Sequence, residues 1–275
     1  MADNLADRLG RSLKSLVKIA LKARRPSVTK ADRGDRRLII MGNGPSLATN
    51  IAEDLELLQR SDTMAVNFAA NAPEFESLRP DYYLLADPHF FSAHGTDPNV
   101  DRMFDRINTL VTWPMTLYVP VGSRPHVTNP NVRVERFNML GIEGFPALER
   151  MAYDRGLGMP RPRNVLIPAI MTGILAGYRH IDILGADHSW LRTLSVSDDN
   201  TVVSVQPHFY KDNDEEKERV TAVYRDVRLH DILLSFHIAF RSYHAIERYA
   251  RARGVEICNC TPGSYIDAFK RKTLK

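Results

Sequence analysis

The sequence predicts an α/β fold: a Rossmann-like, mostly parallel sheet with helices on both faces, a small lid and an N-terminal amphipathic helix. Short runs of β-branched and apolar residues alternate with helical patterns, the order typical of parallel sheets that are covered on both sides. Several of these runs end on polar residues, and ligands of such sheets bind beyond the carboxyl ends of the strands. Both observations favour a ligand-binding α/β domain.

The predicted strands are short and lie at residues 38–41, 63–67, 82–86, 110–119, 132–137, 180–187 and 255–261. Pro114 interrupts the fourth run and makes it an edge strand or a broken one, because proline cannot donate to a strand ladder. Helical periodicity covers residues 50–60, 165–178 and much of 216–253. The stretch "SVSDDNTVVSV" predicts a hairpin that turns at Asp199 and Asn200.

Positive charge is concentrated at the N-terminus. Residues 1–37 hold 11 Lys or Arg and 4 Asp or Glu, a net of +7, whereas the whole chain carries +4. Residues 38–275 therefore carry a net of −3, which argues against a basic domain that binds nucleic acid. We expect a basic helix over residues 1–25, a polar linker over 26–37 and a nucleotide-binding domain over 38–275, with its lid near 190–218.

The N-terminal helix is amphipathic. Its apolar residues recur at spacings of three and four and so share one face; they are Leu5, Leu9, Leu13, Leu16, Val17 and Ala20. The opposite face is basic and holds Arg8, Arg11, Lys14, Lys18 and Lys22. Three interpretations of this pattern are open. The helix lies on an anionic membrane surface, or its leucines pack on its own domain or on a second copy of the chain, or the segment is disordered.

The two cysteines, Cys258 and Cys260, lie two residues apart on a predicted strand, where they point the same way and are poorly placed to bond each other. We expect reduced thiols, which suit the cytoplasm. No apolar run approaches the roughly 20 residues of a spanning helix, and no signal-peptide pattern is present. The expected location is the cytoplasm, peripheral at the inner membrane face if the N-terminal helix binds lipid.

The stretch "RLIIMGNGPSL" joins the first predicted strand to a turn at residues 42–46. Its spacing Gly-x-Gly-x-Ser is neither the dinucleotide fingerprint nor a Walker A loop. Gly42 and Gly44 would let backbone N–H groups approach a ligand, and Ser46 would cap the next turn or bond a phosphate. By itself the stretch is either a phosphate-binding turn or a plain tight turn.

Polar residues also follow the other predicted strands. They are Asn67 after the second strand, Asp87 after the third, and Asp187 with His188 after the "DILGAD" strand. Because parallel strands end at one edge of a sheet, we expect these side chains to converge. Gly263 and Ser264, after the last strand, would open a helix whose N-terminus faces the same edge.

Several of these stretches resemble, in order, the bacterial sialyltransferases of glycosyltransferase family 42, which use a CMP-activated nonulosonic acid. "LIIMGNGPSL" is similar to their first strand and loop, "VN" to their second nucleotide-contacting strand end, and "ADPHFF" to their Asn-Pro-x-x-Phe-Phe stretch. "GILAGYRHIDILGAD" and "VEICNCTPGS" resemble a later helix-to-strand unit and the last strand. The likeness is discontinuous over residues 37–190 and 240–270. "GNGPSL" also occurs in archaeal-type pterin pyrophosphokinases.

The resemblance implies an inverting glycosyltransferase that moves a CMP-activated nonulosonic (sialic-acid-like) or related sugar onto a surface glycan. Its partners would be a nucleotide-sugar donor and a glycan acceptor. The N-terminal helix adds an anionic membrane surface or a second copy of the chain as a partner, and the charge distribution argues against nucleic acid. The implied nucleotide-binding residues are Gly42, Asn43, Gly44 and Ser46 at phosphate and ribose, Asn67 and Asp87 beside them, and Gly185, Ala186 and Asp187 at base or ribose.

The sequence departs from the family at two places. Asp87 stands where the family has asparagine, and a carboxylate repels a phosphate unless it is protonated, paired or bridged by a metal. No cofactor is expected, and Mg²⁺ would bind only if Asp87 and Asp187 share a site. The stretch "RPRNVLIPAIMTG" replaces the family's Arg-x-x-Ser-Gly, with Arg161 or Arg163 to supply the charge. These departures favour a different nonulosonate or another nucleotide sugar.

Inverting transfer needs a base that takes the proton of the acceptor hydroxyl. His208, in the polar loop "SVQPHFYKDNDEEKE", fits the family's catalytic histidine beside a flexible lid, and Tyr210 or Lys211 would assist the leaving phosphate. His237 is the alternative base, because a count back from "VEICNC" without gaps matches it. A histidine in mid-helix is, however, more often a packing residue.

Two other classes of function fit the same pattern. A pterin-type pyrophosphokinase would use ATP and Mg²⁺, with Asp87 and Asp187 as metal ligands. A non-catalytic binding protein would use the same scaffold and attach itself through the N-terminal helix. Stabilisation by CMP without metal favours the transferase, and stabilisation by ATP only with Mg²⁺ favours the kinase.

Overall fold

The computed structural model describes residues 4–198, 200–203 and 227–275 and confirms the α/β fold. One eight-stranded sheet, parallel in every pairing, has the order β10-β9-β6-β1-β2-β3-β4-β5. Its strands are β1 (Arg37–Met41), β2 (Asp62–Val66), β3 (Tyr82–Leu84), β4 (Met115–Pro120), β5 (Val132–Phe137), β6 (His180–Leu184), β9 (Glu256–Asn259) and β10 (Lys270–Arg271). The strands β7 (Ser195–Val196) and β8 (Val202–Val203) form a separate antiparallel pair.

Helices precede and cover the sheet. The helices of the described residues are α1 (Leu5–Lys22), α2 (Ser46–Arg60), α3 (Phe75–Leu78), α4 (His89–Ser92), α5 (Pro98–Leu110), α6 (Pro146–Asp154), α7 (Leu166–Leu175) and α8 (Leu229–Ala252). Two 3₁₀ turns lie at Asn67–Asn71 and Ser189–Arg192. None of the helices within these ranges is long and apolar enough to cross a membrane.

The sheet is buried on both faces because its central strands are continuously apolar, as parallel strands usually are. In β1, Leu38 and Ile40 belong to the core beneath α7 and α8, whereas Ile39 and Met41 belong to the core beneath α2 and α5. All four side chains are 2% exposed or less. Side-chain alternation along one strand thus anchors helices on both sides.

The order of the strands creates a switch point beside β1. The chain first builds β2, β3, β4 and β5 on one side of β1, and then returns to place β6 on the other side. The connections that follow β1 and β6 therefore leave the sheet in opposite directions. A crevice forms between such diverging connections, and ligands of open α/β sheets bind there.

The prediction for the fourth strand was wrong in its start and its position. Helix α5 continues to Leu110, and β4 begins only at Met115, after Pro114. The proline precedes the ladder and removes no hydrogen bond from it, so β4 lies inside the sheet between β3 and β5. The edge strand on this side of the sheet is β5, and β10 forms the other edge.

No helix follows β9, contrary to the sequence prediction. Gly263 adopts a left-handed conformation with φ +66°, and the Ser264 hydroxyl is hydrogen-bonded to Ala186 O at 2.6 Å. Both features close a turn, after which β10 pairs with β9. Ser264 is thus committed to the loop after β6 and does not open a helix.

Helix α1 forms as predicted, but it packs through serines and not through leucines. Ser12 and Ser15 are buried, while Leu9 and Leu13 are 61% and 63% exposed. The Ser15 hydroxyl donates to Glu143 O at 2.7 Å, and the Ser12 oxygen accepts a backbone N–H bond from the same loop. Of the alternatives for α1, packing of the leucines on their own domain is therefore wrong; the buried serines make the contact with the body instead.

The segment expected as a linker lies against the body. Val28 is buried, Ser27 N donates to Arg136 O at 2.9 Å, and Ala31 N donates to Ala176 O at 3.2 Å. This segment therefore fixes α1 beside the edge strand β5 and the end of α7.

The hairpin predicted at Asp199 and Asn200 is present as β7 and β8, with Asn200 at φ +63°. Val202 packs with Ile232 and Phe236 of α8 in a small apolar cluster. The remainder of the predicted lid, from residue 204 to 218, lies outside the described residues.

Candidate functional site

The loops after β1 and β6 are joined through their backbones at the switch point. Gly42 N–H donates to Leu184 O at 2.8 Å, and Gly44 N–H donates to Gly185 O at 2.7 Å. A Cβ on Gly42 would lie 2.5 Å from Gly185 O, closer than real Cβ contacts come. The glycines are thus required for the two loops to touch.

This arrangement changes the meaning of the Gly-x-Gly turn. The N–H groups of Gly42 and Gly44 bond β6 and its loop, so they are not aimed at a phosphate. Ser46 donates through its hydroxyl to Asp187 Oδ2 at 2.8 Å, and a Cβ on Gly44 would overlap that same carboxylate. The turn is therefore first a clamp that fixes Asp187 at the carboxyl edge of the sheet.

One polar group of the clamp has no partner. The Oδ1 atom of Asn43 is buried and makes no hydrogen bond with any residue of the described ranges. A buried acceptor without a partner costs about 1–3 kcal/mol. Hydroxyl or amino donors of a ligand that entered the crevice would remove this cost.

Asn67 and Asp87 follow β2 and β3 at the same edge. Asn67 has φ +52°, a conformation that non-glycine residues rarely adopt, and its carbonyl accepts a hydrogen bond from the buried Tyr83 hydroxyl. The exposed Asp87 accepts His89 N–H through Oδ1 at 2.9 Å and so begins the short helix α4. Asp87 is therefore an exposed carboxylate that is held locally through one of its oxygens.

A polar network that the sequence analysis missed holds the β6 loop from the other side. Ala186 N–H donates to Thr261 Oγ1 at 3.0 Å, and Ser264 Oγ donates to Ala186 O at 2.6 Å. Asn259 Nδ2 in turn donates to Ser264 Oγ at 2.9 Å. The polar run Asn-Cys-Thr at the end of β9 was the available signal, because buried strands seldom end in side chains of this kind without a partner.

His188 links the β6 loop to α8 and to the start of α7. Its Nε2 lies 2.6 Å from the Tyr243 hydroxyl, which lies 2.9 Å from Asn164 Oδ1. The chain of bonds is satisfied when the Nε2–H tautomer donates to Tyr243 and Tyr243 donates to Asn164. Asn164 Oδ1 also accepts Leu166 N–H at 3.1 Å and thereby caps α7.

Burial keeps His188 neutral. The side chain is 7% exposed and its ring centroid lies 4.1 Å from that of Trp190. Desolvation lowers the pKa of His188 to about 3, since the imidazolium would lose its water without gaining a carboxylate. His188 is therefore a buried, structural hydrogen-bonding group at the edge of the site and a poor proton acceptor.

The other predicted site residues do not meet the clamp. Arg163 is exposed in the loop before α7, where Asn164 makes the capping contact. His237 is exposed on α8, so the alternative interpretation of it as a core residue was wrong. His208, Tyr210 and Lys211 lie outside the described residues.

The acidic residues of the edge show no composite metal site. Asp187 is hydrogen-bonded to Ser46 and Asp87 to the start of α4. Within the described ranges, no three His, Cys, Asp or Glu side chains gather closely enough to hold a metal ion. The two cysteines, Cys258 and Cys260, are buried free thiols. A Mg²⁺ ion shared by Asp87 and Asp187 stays a prediction.

Fold and site together define a parallel α/β protein whose β1 and β6 loops are joined at the switch point of the sheet. No protein-family model matches the chain, and no curated protein matches it. Among solved structures it is similar to the MAf glycosyltransferase from Magnetospirillum magneticum AMB-1, at 14% identity and a TM-score of 0.51. The likeness covers 98% of this chain and 38% of that one, so the chain spans well under half of its length. At this identity the likeness shows a shared fold.

Proposed function

We propose that the protein is an inverting glycosyltransferase that moves a CMP-activated nonulosonic (sialic-acid-like) or related sugar onto a surface glycan. The observation that carries the proposal is the buried, unpartnered Oδ1 of Asn43 inside the clamp at the switch point. The similarity in fold to a glycosyltransferase and the resemblance of the Gly-Asn-Gly-Pro-Ser stretch to family 42 support the same class.

The proposed roles follow from the chemistry of each group. Asn43 accepts a hydrogen bond from an amino or hydroxyl group of the cytidine. Asn67 contacts the nucleotide on the side of β2. Asp187, held by Ser46, accepts hydrogen bonds from the ribose hydroxyls. A carboxylate suits this role because it accepts hydrogen bonds, whereas it would repel a phosphate. Asp87 accepts hydrogen bonds from sugar hydroxyls through its second oxygen. In this role the carboxylate does not contact the donor phosphate, so the two negative charges do not repel each other at close range.

The base of the reaction has to accept a proton near neutral pH. His188 fails this requirement because its pKa is lowered to about 3. We therefore assign the base to His208, with His237 as the alternative. Tyr210 or Lys211 stabilises the charge that develops on the departing CMP phosphate.

The proposal includes attachment of α1 to an anionic membrane surface. Its leucine stripe is exposed, with Leu5 at 73% and Leu21 at 68%, although burial of such side chains would be favourable. Contact between the stripes of two copies would bring two strongly basic helices together, and like charges repel. An anionic bilayer accepts the leucines and is attracted by the net positive charge of α1.

A thermal-shift screen tests the proposed reaction class. CMP, CDP, UDP, GDP and ATP are each added with Mg²⁺ and with a chelator. The transferase predicts that CMP raises the melting temperature in both conditions. Stabilisation by ATP only in the presence of Mg²⁺ would instead support the pterin-type pyrophosphokinase. No shift with any nucleotide, together with no turnover, would favour a non-catalytic binding protein.

A further inference from the structure

A second cleft lies away from the switch point, between α1, α6 and α8. Its volume is about 560 Å³, within the range of small-molecule sites. Five arginines line it against one acidic residue, Glu149; the arginines are Arg8, Arg11, Arg150, Arg241 and Arg248. None of the clamp residues at the carboxyl edge contributes to it, so this cleft is separate from the proposed nucleotide site.

The positive charge of the cleft is only partly neutralised. Glu149 accepts Gly144 N–H at 2.9 Å and attracts Arg248, while Glu143, beside the cleft, pairs with Arg161 and lies 4.0 Å from Arg241. In contrast, the side chains of Arg8 and Arg150 make no hydrogen bond or ion pair with the part of the chain that the structure describes.

The cleft's tyrosines cannot act as donors to a ligand. The Tyr153 hydroxyl donates to Ile142 O at 2.7 Å, and the Tyr249 hydroxyl donates to Asp154 Oδ1 at 2.9 Å. Donors that remain for a ligand are therefore guanidinium groups. A ligand of this cleft must be rich in acceptors and negative charge, which excludes a neutral sugar as the main occupant.

We propose that this arginine cleft binds a compound that carries several phosphate groups. Guanidinium N–H groups match phosphate oxygens in pairs, and arginines on three helices can surround more than one phosphate at once. The N-terminus of α6, which begins at Pro146 in the wall of the cleft, adds positive potential. A soluble polyphosphate and the headgroup of a phosphorylated lipid share this chemistry.

Calorimetric titration of the full chain with inositol hexakisphosphate tests the proposal. The test variant is Arg150→Gln/Arg248→Gln, and the matched control is Arg60→Gln/Arg251→Gln, which removes the same charge from α2 and α8 outside the cleft. We expect binding by the wild-type protein, a Kd raised at least about tenfold in the test variant, and a Kd within about twofold of wild type in the control. An equal loss of affinity for inositol hexakisphosphate in the test and control variants, or no binding by the wild-type protein, would overturn the proposal.

A second pair of variants guards against misfolding of the first. If Arg150→Gln/Arg248→Gln melts at a lower temperature than wild type, Arg8→Gln is compared with Lys14→Gln, both on the surface of α1. Weaker binding in Arg8→Gln alone supports the cleft, and equal binding in the two contradicts it. Since the titration does not involve CMP, its result is independent of the proposed transfer reaction.

Vesicles distinguish the two sources of phosphate. Vesicles with and without a phosphorylated inositol lipid are sedimented with wild-type protein and with the test variant. If the variant loses the lipid-dependent binding and inositol hexakisphosphate competes for it, the source is a headgroup. If the variant still binds vesicles as wild type does but loses the soluble phosphate, the source is a soluble compound. If the variant keeps both the lipid-dependent binding and the binding of inositol hexakisphosphate, the proposed site is contradicted.

Discussion

The buried histidine at the edge of the site makes stability depend on pH. His188 has a pKa of about 3 in the folded protein, against an ordinary value of 6.5. Between these values the unfolded chain binds a proton that the folded protein excludes, so stability is fully present above pH 6.5 and falls as the pH decreases. From these two values, the fall between pH 7 and pH 5 is about 2 kcal/mol.

The variant His188→Asn removes the titrating group and keeps a residue that tolerates the left-handed backbone of this position, φ +50°. Its unfolding free energy should be lower than that of wild type at pH 7, because the bond to Tyr243 and the contact with Trp190 are lost. Its further loss between pH 7 and pH 5 should, however, be about 2 kcal/mol smaller than that of wild type.

Urea unfolding at the two pH values, followed by tryptophan fluorescence and circular dichroism, gives the four free energies. The carboxyl groups titrate in both proteins and cancel in the comparison. The control is His237→Asn, the same substitution at an exposed position of α8. Parallel curves for wild type and His188→Asn would refute the argument that burial holds this imidazole neutral.

Three further predictions concern the clamp, the proposed base and the proposed attachment of α1 to a membrane. Gly44→Ala should lower the unfolding free energy by about 1–3 kcal/mol, since its Cβ would overlap Asp187. The control Gly10→Ala, on the open surface of α1, should raise the unfolding free energy by about 0.5–1 kcal/mol. Equal effects of the two variants in chemical denaturation would contradict the clamp. His208→Ala should lower kcat by about 10²-fold or more while CMP binding is kept, and full turnover in a coupled CMP-release assay would exclude His208 as the base. Leu9→Ser/Leu13→Ser should abolish flotation with anionic vesicles, whereas Leu229→Ser/Leu233→Ser on α8 should not; flotation of both variants would reject α1 as the attachment.

The fold could be predicted from the sequence because its signals are local. Strand β1 is an apolar run followed by Gly42, and β6 is a mostly apolar run followed by Gly185, so the local sequence pattern predicts both strands. The position of Pro114 was misread because a proline just before a strand and one inside it look alike in a single sequence. Only the pairing of β4 with two neighbours separates the two cases.

The meeting of the β1 and β6 loops at one edge of the sheet could be predicted from the sequence, but the bonds between the loops could not. Gly42, Gly44, Ser46 and Asp187 were expected at one edge, yet the sequence does not reveal that the two glycine N–H groups bond β6 and its loop. Such contacts join residues about 140 positions apart, and no local pattern encodes them. The same limit hid the serine face of α1, because amphipathicity indicates which face is apolar and not which face meets the body.

The most direct test of the central claim is the calorimetric titration of CMP into metal-free protein, with Asn43→Ala and the control Asn131→Ala at the opposite edge of the sheet. We expect wild type and Asn131→Ala to bind CMP at a single site. Asn43→Ala should bind about tenfold or more weakly, because the cytidine loses the buried, unpartnered acceptor of the clamp. CMP binding that is equal in all three proteins, or absent from wild type, would contradict it.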